Sequence, residues 1–210
     1  MPIRALLLDC FGVLVQTAES SVQHRLEEQG GWQKGTIDKL GMTLLNSHYF
    51  QSATIGDVSA ELIWKDVSVQ LYGCATHWKD VQELYLAAHQ RNDELLAYIQ
   101  ELRKLCKVGI LSNAFSDART FIAGRLGLAE MVDDILISAE EGIAKPARSL
   151  YRKAAERLQV VPSEILYLDD TLLYTRLLKS IGMSTICFQN NTQALAEIQH
   201  YFRVSERTEA

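Results

Sequence analysis

The sequence lacks the features that would assign it to a membrane, an oxidising compartment or a nucleic acid. No apolar stretch in its 210 residues approaches the roughly 20 needed to span a bilayer. Arg4 ahead of Ala5 to Leu8 and Val13 to Val15 imitates a signal peptide, but Asp9 interrupts the run. Basic residues are scattered and the net charge is −5, so there is no electrostatic footprint for a nucleic acid or an anionic membrane, and a small soluble substrate is expected. Cys10, Cys74, Cys106 and Cys187 form no Cys-x-x-Cys pair and have no histidine at zinc spacing. Reduced thiols in a cytoplasmic protein are the expectation. The five histidines show no His-Glu-x-x-His spacing. Repeats, low-complexity tracts and charge blocks are absent.

What is present is an ordinary globular composition, 48% hydrophobic and 22% charged, with length for one core and a modest inserted lobe. Short apolar runs rich in leucine and β-branched residues, Ile3 to Leu8, Val108 to Leu111, Ile135 to Ile137 and Ile165 to Leu168, read as buried strands, with a last strand at Thr185 to Phe188. From Asn92 onward they alternate with helical patterns: Asp93 to Leu105 capped by Asn92, Ser116 to Leu126, Ser149 to Leu158, Thr171 to Ile181 and Thr192 to Phe202, followed by a polar tail expected to fray. That alternation predicts an α/β fold, a doubly wound, mainly parallel sheet. Between residues 16 and 89 strand-like runs vanish, and helices are expected at Ser20 to Gln29, Thr36 to Leu45, Val58 to Tyr72 and Trp78 to Arg91. The division predicted is a core of residues 1–15 and 90–210 with a helical cap, residues 16–89, inserted after the first strand and roofing its end.

Asp9, Ser112, Lys145, Asp169 and Asp170 each stand where such a run ends or shortly beyond it. In an open parallel sheet, residues just past the strands converge on one crevice. Taken singly, each has a plainer reading as a helix cap, a turn or a solvated loop. Two adjacent acids at a buried strand end, however, repel one another unless a cation or donors compensate. Cys10 beside Asp9 has no visible base and reads as packing.

The pattern apolar strand, Asp9-Cys10-Phe11-Gly12-Val13-Leu14 resembles the first motif of the haloacid dehalogenase-like hydrolase superfamily. Leu111-Ser112-Asn113 resembles its second, Gly142-Ile143-Ala144-Lys145-Pro146 its third, and Asp169-Asp170 its fourth. The resemblance covers nearly the whole chain, helical insert included. Asn92 to Leu96, Leu111 to Phe115 and Ser138 to Gly142 are similar to the subgroup holding sugar-phosphate phosphatases and the amino-terminal domain of soluble epoxide hydrolase. It implies a magnesium-dependent hydrolase of a small phosphate monoester. Asp9 would be the nucleophile forming an aspartyl phosphate. Asp9, the Phe11 carbonyl, Asp169 and Asp170 would hold Mg²⁺. Ser112, Asn113 and Lys145 would bind the phosphoryl group over the tight turn at Gly12.

Two positions depart from the family. Phe11 replaces the aspartate that protonates the leaving group and activates water, help typically worth ~10²- to 10⁴-fold. An aromatic there also resembles the true 2-haloacid dehalogenases, an alternative in which Asp9 displaces halide from carbon. Those enzymes dispense with the fourth-motif acids, which this chain keeps, and the cap offers only Arg25 and Arg91 as anion clamps. Tyr174 stands where an asparagine is frequent. With Phe11 it leaves open a third reading, a catalytically weak or inactive binding protein on this fold. Of the cap aromatics Trp32, Trp64, Trp78, Tyr49, Phe50, Tyr72 and Tyr85, most should be core and one or two should touch substrate. Either a monomer or a homodimer through the cap is compatible with the sequence.

Overall fold

A computed structural model describes residues 2–209, with side chains described as far as residue 203. In chain order the elements are β1 (Ala5–Leu8), β2 (Val15–Thr17), α1 (Ser20–Gln29), α2 (Thr36–Asn46), α3 (Phe50–Thr54), α4 (Ala60–Tyr72), α5 (Trp78–Ala87), β3 (His89–Arg91), α6 (Asp93–Leu102) and β4 (Lys107–Ser112). There follow β5 (Asp134–Ile137), α7 (Ser138–Glu141), α8 (Arg148–Arg157), β6 (Ile165–Asp169), α9 (Leu172–Leu178), β7 (Ser184–Cys187) and α10 (Asn191–Glu209).

Five strands form a parallel sheet in the order β5-β4-β1-β6-β7. β1 is central, with Leu7 opposite Gly109 of β4 on one side and Tyr167 of β6 on the other. Strand side chains alternate between faces, and both faces are covered, which is why the runs read as continuous apolar stretches. Leu6, Leu8, Ile110 and Leu168 pack on Leu95, Leu96 and Ile99 of α6 and Ile198 of α10. Ala5, Leu7, Leu111 and Tyr167 pack on Leu150, Tyr151 and Ala154 of α8 and Leu178 of α9. The expected α/β, doubly wound sheet is therefore what forms.

Helices α1 to α5 make a lobe with its own core, in which Leu40 and Leu44 of α2, Ile63 and Trp64 of α4 and Val81 and Leu84 of α5 meet Phe115 from the loop after β4. The chain leaves and re-enters the sheet body through an antiparallel pair, with Val15 opposite Arg91 and Thr17 opposite His89. This corrects the helix expected at Trp78 to Arg91. It ends at Ala87, because His89–Arg91 is drawn into pairing with a segment far back in sequence, which a local period does not register.

The helix expected at Ser116 to Leu126 also differs. Ser116 and Asp117 form a turn, and Thr120–Arg125 is a wide π-type coil closed by Leu126 N–H donating to Phe121 O at 2.9 Å, ahead of the left-handed Gly127. The two intended caps face elsewhere: Ser116 Oγ accepts from Ala60 N–H at 3.3 Å and Asp117 accepts from Trp64 Nε1 at 2.9 Å, both in the lobe. Two short helices, α3 and α7, had no sequence signal, and α10 runs on to Glu209 rather than stopping at Phe202. No helix among the described residues is long and apolar enough to cross a membrane.

Candidate active site

All the strand ends point the same way, so β1, β4, β5 and β6 deliver Asp9, Ser112, Ser138 and Asp169 to one edge of the sheet. Lys145 reaches the same place from the loop beyond α7. Its ammonium, buried, lies 2.7 Å from Asp9 Oδ1 and 2.9 Å from Asp169 Oδ2. Asp9, Asp169 and Asp170 each present an oxygen within 4.8 Å of the others, a set able to hold a metal ion. Four of the five residues singled out from sequence thus converge, and Ser112 stands at the end of the adjoining strand β4.

Their environments set them apart. Burial pushes the Asp9 carboxyl up to about 7, with Asp169's charge adding to the effect and Lys145 opposing it. Burial would raise Asp169 too, but the Lys145 ammonium and hydrogen bonds from Tyr167 O–H and Thr171 N–H (2.7 Å) hold it below the usual carboxylate range. Asp170, at the exposed rim, is raised by burial and then by its neighbour Asp169. For Lys145 the two carboxylates overcome the cost of burial and raise the ammonium above its ordinary value. The Cys10 thiol is driven up by burial and by Asp9, so it is inert packing.

Ser112 supplies an orphan at the strand ends. Its hydroxyl is fully buried with no hydrogen-bond partner, a state that costs about 1–3 kcal/mol unless something arrives to bond it. Asn113 does not spend its side chain on a ligand. Its Oδ1 accepts from Lys145 N–H at 2.7 Å and its Nδ2 donates to Lys145 O at 3.1 Å, fixing the lysine loop to β4. Gly12 has φ +87°, and a Cβ there would sit 2.1 Å from Asp170 Oδ2. Its N–H donates to Val15 O at 2.8 Å. What Gly12 contributes is room for the Asp170 carboxylate.

The Phe11 side chain turns away from the carboxylates, stacked on Phe121 with centroids 6.3 Å apart and edge-on to His89 at 5.5 Å. It forms one end of a cavity of about 430 Å³ between sheet and lobe. Phe50, Trp64 and Tyr85 of the lobe line it, so three of the seven cap aromatics named from sequence reach this space. Among the described residues no lysine or arginine does. Arg91 is tied to Asp93 at 2.9 Å and to Leu126 O at 3.0 Å, and Arg25 lines no part of the cavity.

Sequence reasoning missed Tyr167, Thr171, Ser138 and the use of Tyr174. Tyr167 lies two residues before Asp169 and therefore on the same strand face, which is the signal that would have found it. Ser138 Oγ accepts from Ala114 N–H at 3.0 Å and donates to Thr54 O at 2.6 Å, joining β4, β5 and the lobe. The Tyr174 ring lies 5.4 Å from Lys145 Nζ, a cation–π contact.

A buried lysine shared by two carboxylates at the carboxyl edge of a parallel sheet, with a third acid at the rim, defines an α/β protein whose site is built from acids. The chain belongs to the haloacid dehalogenase-like hydrolases, whose family model matches residues 3–173. Among curated proteins it is 30% identical over 67 residues to bifunctional epoxide hydrolase 2 of Sus scrofa, covering 32% of this chain and only 12% of that one. The chain thus spans a small part of the curated relatives it matches. Among solved structures it is similar to a HAD family enzyme of Bacteroides thetaiotaomicron in complex with magnesium and inorganic phosphate, at 17% identity and TM-score 0.70, covering 89% of this chain and 94% of that one. L-2-haloacid dehalogenase of Xanthobacter autotrophicus, with chloropropionic acid covalently bound, is similar at 19% identity and TM-score 0.69, covering 92% and 81%. At these identities the two structures speak for the fold.

Proposed function

We propose that the protein hydrolyses a small phosphate monoester with the help of Mg²⁺. The observation that carries this reading is the cluster of Asp9, Asp169 and Asp170 within 4.8 Å, beside a buried hydroxyl, Ser112, that lacks a partner. Three acids served by one ammonium are short of positive charge, and a divalent cation matches both their number and their oxygen chemistry. Asp9, Asp169, Asp170 and the Phe11 carbonyl are the ligands this chain offers. The ion, when bound, supplies charge neutralisation to the phosphoryl oxygens.

The chain's own residues do the rest. Asp9 attacks phosphorus as the carboxylate, so its raised pKa must be brought down in the loaded site. Ser112 Oγ, the Asn113 backbone N–H and Lys145 Nζ bind the phosphoryl oxygens, with Lys145 kept charged by its acid partners. Gly12 keeps the turn low enough for Asp170 to approach. The helical lobe acts as the cap that excludes water and selects the ester.

Phe11 and the apolar cavity favour one competitor, displacement of halide from a 2-haloacid. Among the described residues the cavity has no lysine or arginine for the haloacid carboxylate, while the retained acid pair would repel it. The deciding experiment offers phosphomonoesters and 2-haloacids to the purified protein, with Mg²⁺, with chelator, and with Asp9→Asn. Phosphate release that needs both Mg²⁺ and Asp9 is expected. Halide release instead would replace this reading with dehalogenation. Silence on both would replace it with a binding protein on a hydrolase fold.

A further inference from the structure

The side of the site that faces the leaving group has two properties that concern the same atom. Phe11, which stands where the family resemblance implies a proton donor, has no proton to give, and its ring turns from the carboxylates to line the space beyond. The space beyond it is walled by Phe11, Phe50, Trp64, Tyr85, Phe115 and Phe121. Of the polar groups that also line this cavity, Asp117 Oδ2 is committed to Trp64 Nε1 and Gln82 Nε2 and the Asn113 side chain to Lys145. His89 Nδ1 is committed to Tyr85 O at 2.7 Å. That leaves Thr17, Asp38, Asp117 Oδ1 and the other nitrogen of His89 to meet whatever enters, few of them donors. A sugar or polyol would bring several hydroxyls out of water with few partners, at about 1–3 kcal/mol for each one unpaired.

From these two observations we infer that the substrate is an aryl phosphate, a phosphate monoester of an uncharged phenol whose ring occupies the cavity between sheet and lobe. This inference rests on the phosphatase reading of the same site. A phenol has a pKa of about 10, whereas an alcohol lies near water, at about 16. The phenolate can therefore leave without being protonated in the transition state, and the missing acid matters least for this class. Asp9 Oδ forms a bond to phosphorus as the P–O(aryl) bond breaks, and phenolate departs with the electron pair and takes its proton from solvent. Water then attacks phosphorus, the P–O(Asp9) bond breaks, and the water's proton passes through solvent, leaving inorganic phosphate and free Asp9. The cavity, about 430 Å³, is of the size that holds a small ligand, and aromatic walls suit an aromatic guest through edge and offset contacts.

The test compares four esters at saturating Mg²⁺: phenyl phosphate, 2-naphthyl phosphate, benzyl phosphate and a hexose 6-phosphate, with acetyl phosphate as a compact substrate that also needs no acid. Phenyl should exceed benzyl phosphate in kcat/KM by at least about 10²-fold, the lower range of general-acid help. Among substituted phenyl phosphates the rate should fall steeply with phenol pKa. Phe11→Asp should narrow the phenyl-to-benzyl ratio at least tenfold, since the carboxyl restores the proton. Gly41→Phe tests the cavity: Gly41 lines it from α2, and a Cβ there meets nothing within 4 Å, so the added ring projects into open space. It should lower kcat/KM for 2-naphthyl phosphate about tenfold more than for acetyl phosphate, a loss of the size one mismatched apolar group produces. Benzyl or hexose phosphate turned over as well as phenyl phosphate would overturn the inference and leave the phosphatase intact. So would acetyl phosphate hydrolysis that needs Asp9 without any on the aryl series. Failure on all five substrates would remove the phosphatase reading and this one with it.

Discussion

The two walls of the cleft are built on opposite principles. The sheet wall buries Asp9, Asp169 and Lys145 together and holds them with hydrogen bonds from Tyr167 and Thr171 and the Asn113 clamp. Every member has at least one partner fixed by a strand end. The lobe wall has no buried charge facing the cavity and is held to the sheet body by the β2–β3 pair and a few single contacts, such as Ser138 to Thr54 and Trp64 to Asp117. Charge placement tolerates little displacement in a low-dielectric site, whereas apolar walls tolerate exchange of similar volumes. The sheet wall is therefore the part that must stay fixed, and the lobe wall the part that can vary.

The strongest way to break that contrast is to remove the cation from the sheet wall. Lys145→Met keeps most of the length of the side chain and leaves Asp9 and Asp169 buried without their shared partner. Breaking a buried ion pair from one side costs about 3–5 kcal/mol, and phosphate release should vanish. Urea denaturation of both proteins checks it. A loss below about 1 kcal/mol, the scale of an exposed pair, would mean that the network is not the rigid element described.

Asp9→Asn separates function from stability on the same wall. Turnover should fall by at least about 10³-fold, as when a nucleophile is lost, yet the folded protein should gain stability. The folded Asp9 carboxyl titrates at about 7 against 3.8 in the free residue. Between those values the folded state holds a proton that the unfolded state has lost, so stability falls as pH rises through this window and the penalty is complete above it. Asp170, also raised, adds to the same slope, while Asp169, lowered, acts in the opposite sense below the ordinary carboxylate range. The Asn variant should therefore melt higher at pH 8 by on the order of 1 kcal/mol, about 2–4 °C for a chain of this size. The two proteins should converge near pH 4. Equal melting temperatures at pH 8 would show that Asp9 is not strained by burial. Mg²⁺ should narrow the gap by stabilising the wild type alone.

The same contrast governs what the sequence reveals. The sheet wall is legible because each of its residues directly follows an apolar run or sits in a short motif, and parallel strands align their carboxyl ends without further information. Tyr167 was hidden by its strand, where a tyrosine among leucines reads as core. The role of Tyr174 was hidden because its partner, Lys145, lies on another element. On the lobe side, Ser116 and Asp117 have the composition of a helix cap, and their true partners, Ala60 and Trp64, are 56 and 53 residues away. The three-residue strand His89–Arg91 depends wholly on Val15–Thr17. Local patterns carry periodicity and caps, so pairings across such distances leave no trace in them.

The finest test of the contrast concerns the join between the walls. Gly56, in the loop after α3, has φ +79°, and a Cβ there would lie 2.2 Å from the Ala139 carbonyl oxygen in α7, just after β5. Gly142, just after α7, has φ +68° and nothing within 4 Å of the same added atom. Alanine at either position bears the left-handed backbone cost, roughly 1–2 kcal/mol. Only Gly56→Ala also drives lobe and sheet apart at the point where Ser138 donates to Thr54. The two variants should thus lose similar global stability by denaturation, with Gly56→Ala lower by about one further hydrogen bond, ~1 kcal/mol. Hydrogen exchange should then accelerate across α3 and the 55–58 loop in Gly56→Ala alone, and KM should rise there more than kcat falls, because the lobe wall moves and the carboxylates do not. Matched exchange and kinetics in the two variants would show that the lobe is seated by its helices as a body, and that the contact at Ala139 merely accompanies it.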